Sequence, residues 1–166
     1  YRKSGKPLGS IHGLPVAVGI CIGLLANGYI SSKVYVVLGD GELNEGSNWE
    51  AIMLAGHLKL SNLIILIDKN NLGGVGNNLD SYCSIDPLDQ KFLSFNFEVR
   101  SLDGHNLELI SSSIKKDSKQ GLPKAIICNT IKGRGVSFME NNNVWHYRPP
   151  NSEEYKEALK EIEEGN

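Results

Sequence analysis

The chain has 166 residues, of which 40% are apolar and 22% are charged, and its formal net charge at pH 7 is -2. This size and apolar content suit one globular domain with a substantial core, so we predict a single domain over residues 1–166. The small negative charge, with Lys and Arg scattered along the chain, argues against a nucleic-acid partner.

The cysteines and the apolar segments narrow the class of protein further. Cys21, Cys83 and Cys128 are far apart and odd in number, which argues against a disulfide framework or a thiolate metal site and favours the cytoplasm. The longest apolar run, residues 14–26, is interrupted by Pro and Gly and is too short to cross a bilayer, so we expect no membrane partner. Because the chain begins at Tyr1 rather than at Met, we expect it to be truncated at its N-terminus.

Apolar periodicity and turn residues divide the chain into alternating helices and strands. The predicted elements are, in chain order, a buried helix at 13–26, a strand at 34–38, a helix from 47 to about 59, a strand at 63–67, a long loop at 72–86, a strand at 95–102, a helix from 107 to about 118, a strand at 124–129 and a charged surface helix within 151–166. Ser47 and Glu50 have the spacing of a capping box, which sets the predicted start of the second helix. Strands that alternate with helices predict an α/β fold: a three-layer, doubly wound, mostly parallel sheet with helices on both faces.

Side chains with oxygen atoms follow two of the predicted strands, at the point where each strand ends. A Gly-Asp-Gly triplet centred on Asp40 comes directly after the first strand, and an Asn pair that begins at Asn70 follows the second. Ligands of open parallel sheets bind beyond the carboxyl ends of the strands, so we expect Asp40 and Asn70 to face one pocket. With the backbone carbonyl of Leu72, these oxygens would suit Mg²⁺ or Ca²⁺, and a diphosphate and a water would complete the shell.

Other interpretations of the triplet stay open at this point. A tight turn from strand to helix would use the same glycines. A dinucleotide fold is less suitable, because its fingerprint needs glycine where the chain has Asn44, and Asp68 comes later than the acid of that fold. The loop of residues 42–46 instead offers backbone N–H groups for phosphate oxygens, which favours a diphosphate ligand.

Longer stretches around these residues resemble the diphosphate-binding domain of transketolases. The likeness extends over about residues 14–150 and is carried by residues 39–51, 55–60, 68–72, 98–105, 132–137 and 145–146. The triplet and the Asn pair have the order and spacing of the thiamin-diphosphate signature. The Glu-Gly-x-x-x-Glu-Ala run that starts at Glu45, and the Lys-Gly-x-Gly-Val-Ser run at 132–137, favour transketolases made of two separate chains over 2-oxo-acid dehydrogenases.

The resemblance implies roles for individual positions. Asp40 and Asn70 would bind the metal through their side chains and Leu72 through its carbonyl oxygen, while the Gly41 amide would meet a diphosphate oxygen. The cofactor-binding residues that it implies are Gly39, Asp40, Gly41, Glu42, Asn70, Leu72, Ile11, His12 and His146. Thiamin diphosphate and Mg²⁺ or Ca²⁺ are therefore the expected cofactors.

Two positions have catalytic roles by the same resemblance. Glu45 corresponds to the family's buried carboxylate between thiamin sites; from the residues alone it would be a loop acid that satisfies backbone amides. His146 corresponds to a histidine beside the diphosphate and the reacting carbons, where a side chain that titrates near neutrality can transfer protons. Without the resemblance, His146 would be read as a surface residue.

The segment at Ile11 and His12 matches the family poorly. In relatives, this segment packs its backbone against the aminopyrimidine ring and includes a longer glycine-rich stretch. Either residues between about Leu8 and Ile11 are missing from this sequence, or the cofactor cleft is damaged; we favour the omission.

The resemblance implies a function that this chain shares with a partner. It would be the thiamin-diphosphate-binding subunit, or a fragment, of a transketolase-like enzyme that moves a two-carbon ketol unit from a ketose phosphate to an aldose acceptor. The carboxylate that activates the cofactor belongs, in this family, to a second, pyrimidine-binding domain, which nothing after Pro150 encodes. We therefore expect no turnover by the chain alone, and a pyrimidine-binding partner in a dimer or heterotetramer.

Three alternatives to this function remain. Two are enzymes that use the same cofactor, 1-deoxyxylulose-5-phosphate synthase and a 2-oxo-acid dehydrogenase component. The third is a non-catalytic remnant of the fold. The acceptor sugar is also open, so the pentose phosphate pathway and the synthesis of an unusual surface sugar are both compatible with the sequence.

Overall fold

The computed structural model describes residues 12–72, 83–118 and 121–165. Helices and strands alternate along these ranges. In chain order they are α1 (Gly13–Ala26), β1 (Val34–Gly39), α2 (Gly46–His57), β2 (Leu63–Lys69), α3 (Leu88–Ser94), β3 (Glu98–Asp103), α4 (Leu107–Lys115), β4 (Lys124–Asn129) and α5 (Ser152–Glu164), with 3-10 helices at Asp40–Asn44 and Asn143–His146. The predictions for Ile11 and for positions 73–82 of the long loop lie outside the described residues. No helix within the described ranges is long and apolar enough to span a bilayer.

The strands form one parallel sheet of order β1-β2-β4-β3. Gly39 of β1 pairs with Asp68 of β2, and Lys69 of β2 pairs with Asn129 of β4, so the carboxyl ends of these strands lie at one edge. Parallel neighbours need crossover connections, which α2 supplies between β1 and β2 and α4 supplies between β3 and β4. The predicted α/β class with a parallel sheet is confirmed.

The helices cover the two faces of the sheet unequally. On one face, α1, α2 and α3 enclose the larger core, which includes the buried Ile65 of β2 and Ile127 of β4. On the other face, α4 packs on β3 and β4 over a smaller cluster that includes Ile126. Helices therefore lie on both faces, as predicted, while Tyr35 and Val37 of β1 stay exposed on the second face.

The predicted start of α2 is wrong. Glu45 is the N-cap residue of this helix and makes no side-chain capping bond, and the helix begins at Gly46. A capping side chain needs a residue with non-helical backbone, and Ser47 is already inside the helix. The 3-10 helix that precedes α2 leads the chain into it before Ser47, so Ser47 and Glu50 do not form the predicted capping box.

The segment before β3 also differs from its prediction. The sequence pattern does not predict α3, and β3 begins at Glu98 instead of Phe95. Phe95 is the C-cap residue of α3, and Asn96 has a φ of 62°, which turns the chain before the strand. The apolar residue at position 95 is explained by a ring contact, since Phe95 packs near Trp49 of α2 with ring centroids 6.4 Å apart. It is not part of the alternating pattern of a strand.

Candidate functional site

The carboxyl ends of β1 and β2 meet at the Asp40 side chain. The backbone N–H of Asn71 donates to Asp40 Oδ2 at 2.5 Å, and the N–H of Gly41 donates to Asp40 Oδ1 at 2.8 Å. Only 1% of Asp40 is exposed to solvent. The residue after β1 is therefore bonded directly to the Asn pair after β2.

The surroundings of Asp40 disfavour a bare negative charge. Burial raises the pKa of this carboxyl above its ordinary value and the nearby Asp68 carboxylate adds to the increase, while the backbone donors of Asn71 and Gly41 act in the opposite direction. Each Asp40 oxygen accepts one backbone hydrogen bond and keeps a further lone pair. A carboxylate in this state gains from a nearby cation, and its hard oxygens fit Mg²⁺ or Ca²⁺.

The Asn pair forms a tight turn beside this carboxylate. Asn71 has a φ of 60°, and the Asn70 Oδ1 atom accepts the backbone N–H of Leu72 at 2.9 Å. This side-chain-to-backbone bond orients the Asn70 oxygen within the turn and leaves it a second lone pair. Asp40, Asn70 and Leu72, the three residues predicted as metal ligands, are thus joined through one turn.

The residues after Asp40 form a 3-10 helix instead of the predicted irregular loop. Glu42 closes its first turn, because the Glu42 carboxylate accepts the backbone N–H of Gly39 at 2.8 Å. Burial raises the pKa of Glu42. Gly39 and Glu42, both predicted to contact a cofactor, therefore bond to each other. The Gly41 N–H already donates to Asp40, so a diphosphate oxygen at this amide would share the Gly41 N–H with Asp40.

Asp68 and Thr130 are structural parts of this edge that the sequence analysis missed. The Thr130 hydroxyl makes a short hydrogen bond to Asp68 Oδ1, and the Thr130 N–H donates to the Lys69 carbonyl at 3.0 Å. A Cβ on Gly104 would come within 2.4 Å of the Thr130 methyl, so glycine there permits the close approach. One signal was available: Asp68 lies near the carboxyl end of β2, two positions before Asn70.

The other predicted residues that the structure describes are not bonded to this turn. Among the described residues, no hydrogen bond joins His12, Glu45 or His146 to Asp40. His12 is the exposed N-cap residue of α1, and Glu45 is the N-cap residue of α2 and is exposed in the single chain. His146 is exposed at the end of the second 3-10 helix, with its ring centroid 4.9 Å from that of Tyr147.

Residues 26–163 match the family model described as transketolase, thiamine diphosphate binding domain. The chain is 43% identical over 153 residues to one of the subunits of the apulose-4-phosphate transketolase of Actinobacillus succinogenes, which covers 92% of this chain and 55% of that protein. It is 35% identical over 156 residues to 6-deoxy-6-sulfo-D-fructose transketolase subunit SqwG of a Clostridium species, covering 91% of this chain and 54% of that protein. The chain therefore spans about half the length of these curated relatives.

Solved structures give the same match at the level of the fold. The transketolase of Campylobacter jejuni superposes with a TM-score of 0.85 at 29% identity, over 92% of this chain and 25% of that one. The transketolase of Pichia stipitis in complex with sedoheptulose-7-phosphate superposes with a TM-score of 0.78 at 26% identity, over 95% of this chain and 24% of that one.

Proposed function

The chain belongs to the transketolase family and contains its thiamine diphosphate binding domain; on that premise we propose that it serves a two-chain enzyme that transfers a two-carbon ketol unit from a ketose phosphate to an aldose acceptor. The relatives named above as subunits of transketolases support the two-chain arrangement. They favour ketol transfer over the reactions of 1-deoxyxylulose-5-phosphate synthase and of 2-oxo-acid dehydrogenases.

The observation that carries the proposal is the state of Asp40. Its carboxylate is buried, accepts two backbone N–H groups, and forms no ion pair with a Lys or Arg of the described ranges. A divalent cation, Mg²⁺ or Ca²⁺, would neutralise it, with Asn70 supplying a second side-chain oxygen and Leu72 its carbonyl. The diphosphate of the cofactor would complete the shell with its own oxygens.

The chemistry at the reacting carbons would be divided between cofactor and protein. Thiamine diphosphate, when bound, supplies the nucleophilic carbon of the reaction. His146 would hold or move a proton at the oxygens of the sugar, for which an exposed imidazole is suited. Glu45 would become buried only when another subunit covers the start of α2, and His12 and Ile11 would line the far end of the cofactor.

The activity would need a second polypeptide. We infer that the partner contributes the pyrimidine-binding domain, that the assembly is a dimer or heterotetramer acting on sugar phosphates, and that this chain alone does not turn over. The three cysteines of the described ranges are free, which is compatible with a reducing cytoplasm.

Calorimetric titration of the chain with thiamine diphosphate, with and without Mg²⁺, tests the cofactor step. We expect metal-dependent binding, and Asp40→Asn should weaken it by about 100-fold or more, since even indirect partners of a metal site contribute 10–100-fold. Asp103→Asn is the matched control, because Asp103 ends β3 at the same edge and its side chain accepts the His105 N–H of its own turn at 2.9 Å, with no other hydrogen bond to the described residues. Metal-independent binding, or no binding even when the pyrimidine-domain partner is present, would favour the non-catalytic remnant.

Reconstitution tests the reaction itself. The chain is mixed with the matching pyrimidine-domain subunit, thiamine diphosphate and Mg²⁺, and is offered a ketose phosphate or pyruvate as donor. Turnover with the ketose phosphate supports ketol transfer, turnover with pyruvate alone would support the alternative enzymes, and an inactive mixture would contradict the two-chain proposal.

A further inference from the structure

Residues 137–148, the segment that contains His146, are attached to α5 through an arginine at their C-terminal end. The Arg148 guanidinium lies over the Trp145 ring, 4.1 Å from its centroid. Its two terminal nitrogens donate to the two carboxylate oxygens of Glu154 at 2.8 and 2.7 Å. Glu154 also accepts the backbone N–H of Asn151 at 2.8 Å, as part of the capping box that starts α5. The guanidinium is therefore held between an indole ring and the first turn of a capped helix.

The N-terminal end of the same segment is attached to α5 at Ser137. Both the backbone N–H and the hydroxyl of Ser137 donate to the Glu161 carboxylate. The Trp145 indole N–H donates to the Phe138 carbonyl at 3.0 Å, and the two rings lie 5.2 Å apart. Residues 137–148 are thus joined to α5 at two positions along the helix, and Trp145 connects the two ends of the segment.

The position of the His146 imidazole depends on this backbone. The ring is exposed and forms no hydrogen bond with the described residues, so no polar partner of its own fixes it. What holds it is its place in the chain between Trp145, which is fixed by Phe138 and Arg148, and Tyr147, whose ring it contacts.

We propose that α5 positions His146, with Arg148 as the positioning residue that connects the Glu154 carboxylate to the Trp145 ring. This inference rests on the proposed function, in which His146 transfers protons. A surface ion pair contributes little to stability by itself. The Arg148–Glu154 pair is bidentate and the guanidinium also stacks on a ring, a geometry that fixes orientation.

A double-mutant cycle in the reconstituted holoenzyme separates positioning from general support of the fold. Arg148→Gln should lower kcat by about 10- to 100-fold while KM changes little, because small displacements of a catalytic group have effects of this size. In a His146→Gln background, Arg148→Gln should cause no further loss. Arg148→Lys should recover only part of the activity, since an ammonium group cannot form the paired bonds and the stacked contact together.

Lys160→Gln is the matched control, because it removes another ion pair of α5, Lys160 with Glu164 at 3.8 Å, that does not touch residues 137–148. It should leave kcat unchanged. The proposal would be overturned if Arg148→Gln lowered kcat equally in the parent and in the His146→Gln background. It would also be overturned if Lys160→Gln lowered kcat as much as Arg148→Gln does, or if His146→Gln kept full activity.

A spectroscopic measurement on the chain alone makes this test independent of turnover. In a Trp49→Phe background, the emission comes from Trp145 only. Arg148→Gln should shift this emission to the red and increase its quenching by acrylamide, and Lys160→Gln should change neither. If the reconstituted parent is inactive but the emission shifts as stated, the proposed function fails while the attachment of Trp145 to α5 is supported. Unchanged emission would overturn the positioning proposal whatever the activity.

Discussion

At the scale of single residues, the close approach between α2 and the turn after α3 depends on a glycine. A Cβ at Gly56 would lie 1.7 Å from the carbonyl oxygen of Phe95, which is backbone and cannot rotate away. We expect Gly56→Ala to lower the free energy of unfolding by about 3 kcal/mol, the upper range for overpacking, as measured by urea denaturation. In α1, where a Cβ at Gly23 would meet nothing within 4 Å, Gly23→Ala should instead raise it by about 0.5–1 kcal/mol. Equal effects of the two substitutions would contradict the contact.

The cysteines should differ in reactivity because the thiolate is the reactive form. Burial raises the pKa of Cys21 to about 11, and burial and the neighbouring Asp68 raise that of Cys128, whereas Cys83 is exposed. At pH 8, iodoacetamide should therefore modify Cys83 in the native chain, and Cys21 only after unfolding. Peptide mass spectrometry over a time course measures both sites. Modification of Cys21 at the rate of Cys83 would contradict the packing of α1 on the sheet.

At the scale of elements, sequence patterns succeed where the signal is local. Asn106, directly before the predicted start of α4 at 107, accepts the Leu109 N–H at 3.0 Å, and the cap at Asn151 starts α5. The N-cap residue of α3, Pro87, has no capping side chain, and the Leu88 N–H is instead accepted by Asp86 Oδ1 at 3.2 Å, one position before the usual cap. The 3-10 helix before α2 sets the start of α2, and the preference of Ser47 for the N-cap position does not change it.

The end of α4 depends on a distant residue. The helix ends at Lys115, earlier than predicted, and its last carbonyl groups are bonded by a lysine of β4. The buried Lys124 ammonium donates to the carbonyls of Ser113 and Ile114, both at 3.3 Å, and to that of Lys116. The cation also lies at the negative end of the helix dipole. Such a cap between elements leaves no pattern in the sequence of the helix.

Removing this cap should destabilise the protein. Lys124→Met keeps most of the buried stem but leaves helix carbonyls without a donor, so we expect the free energy of unfolding to fall by about 1–3 kcal/mol. Lys115→Met, at an exposed position of α4, should change it by no more than about 0.5 kcal/mol. Chemical denaturation followed by circular dichroism measures both variants. Equal stability of the two would show that water bonds these carbonyls as well as Lys124 does.

The contacts of α5 predict a dependence of stability on acid. Hydrogen bonds from Arg148 lower the pKa of Glu154 from 4.5 to about 2, and those from Ser137 lower the pKa of Glu161. A carboxyl whose pKa is lowered by folding adds stability above its unfolded pKa, and this stability is lost as the pH falls from 4.5 towards 2. The melting temperature should therefore fall in this range for the parent chain, and less for Glu154→Gln. Parallel pH profiles of the two proteins would contradict the pairing, and added salt should reduce their difference.

At the scale of the whole molecule, the sequence predicts that the ends of β1 and β2 meet at the candidate site. It does not predict the contacts that hold the surrounding segments in place. Asp40 and Asn70 each follow an apolar run, and parallel strands necessarily end at one edge, so topology alone brings them together. The bond between Asp68 and Thr130 connects β2 to the residue after β4, and their separation in sequence carries no periodic signal. The contact of Trp145 with Arg148 likewise depends on where α5 packs.

The uneven covering of the sheet gives a last expectation for the molecule as a whole. Val36 faces the main core and is 9% exposed, whereas its neighbour Val37, on the face that α4 leaves uncovered at β1, is 70% exposed. Val36→Thr places a hydroxyl in the core and should lower the free energy of unfolding by about 1–3 kcal/mol. Val37→Thr should change it by no more than about 0.5 kcal/mol, since the side chain stays in water. Urea denaturation at several protein concentrations measures both. If Val37→Thr were as destabilising as Val36→Thr, another molecule would cover the second face of β1 in solution, and the cooperative folding unit would be larger than this chain. A free energy of unfolding that depends on protein concentration would then identify a second copy of the chain as that molecule.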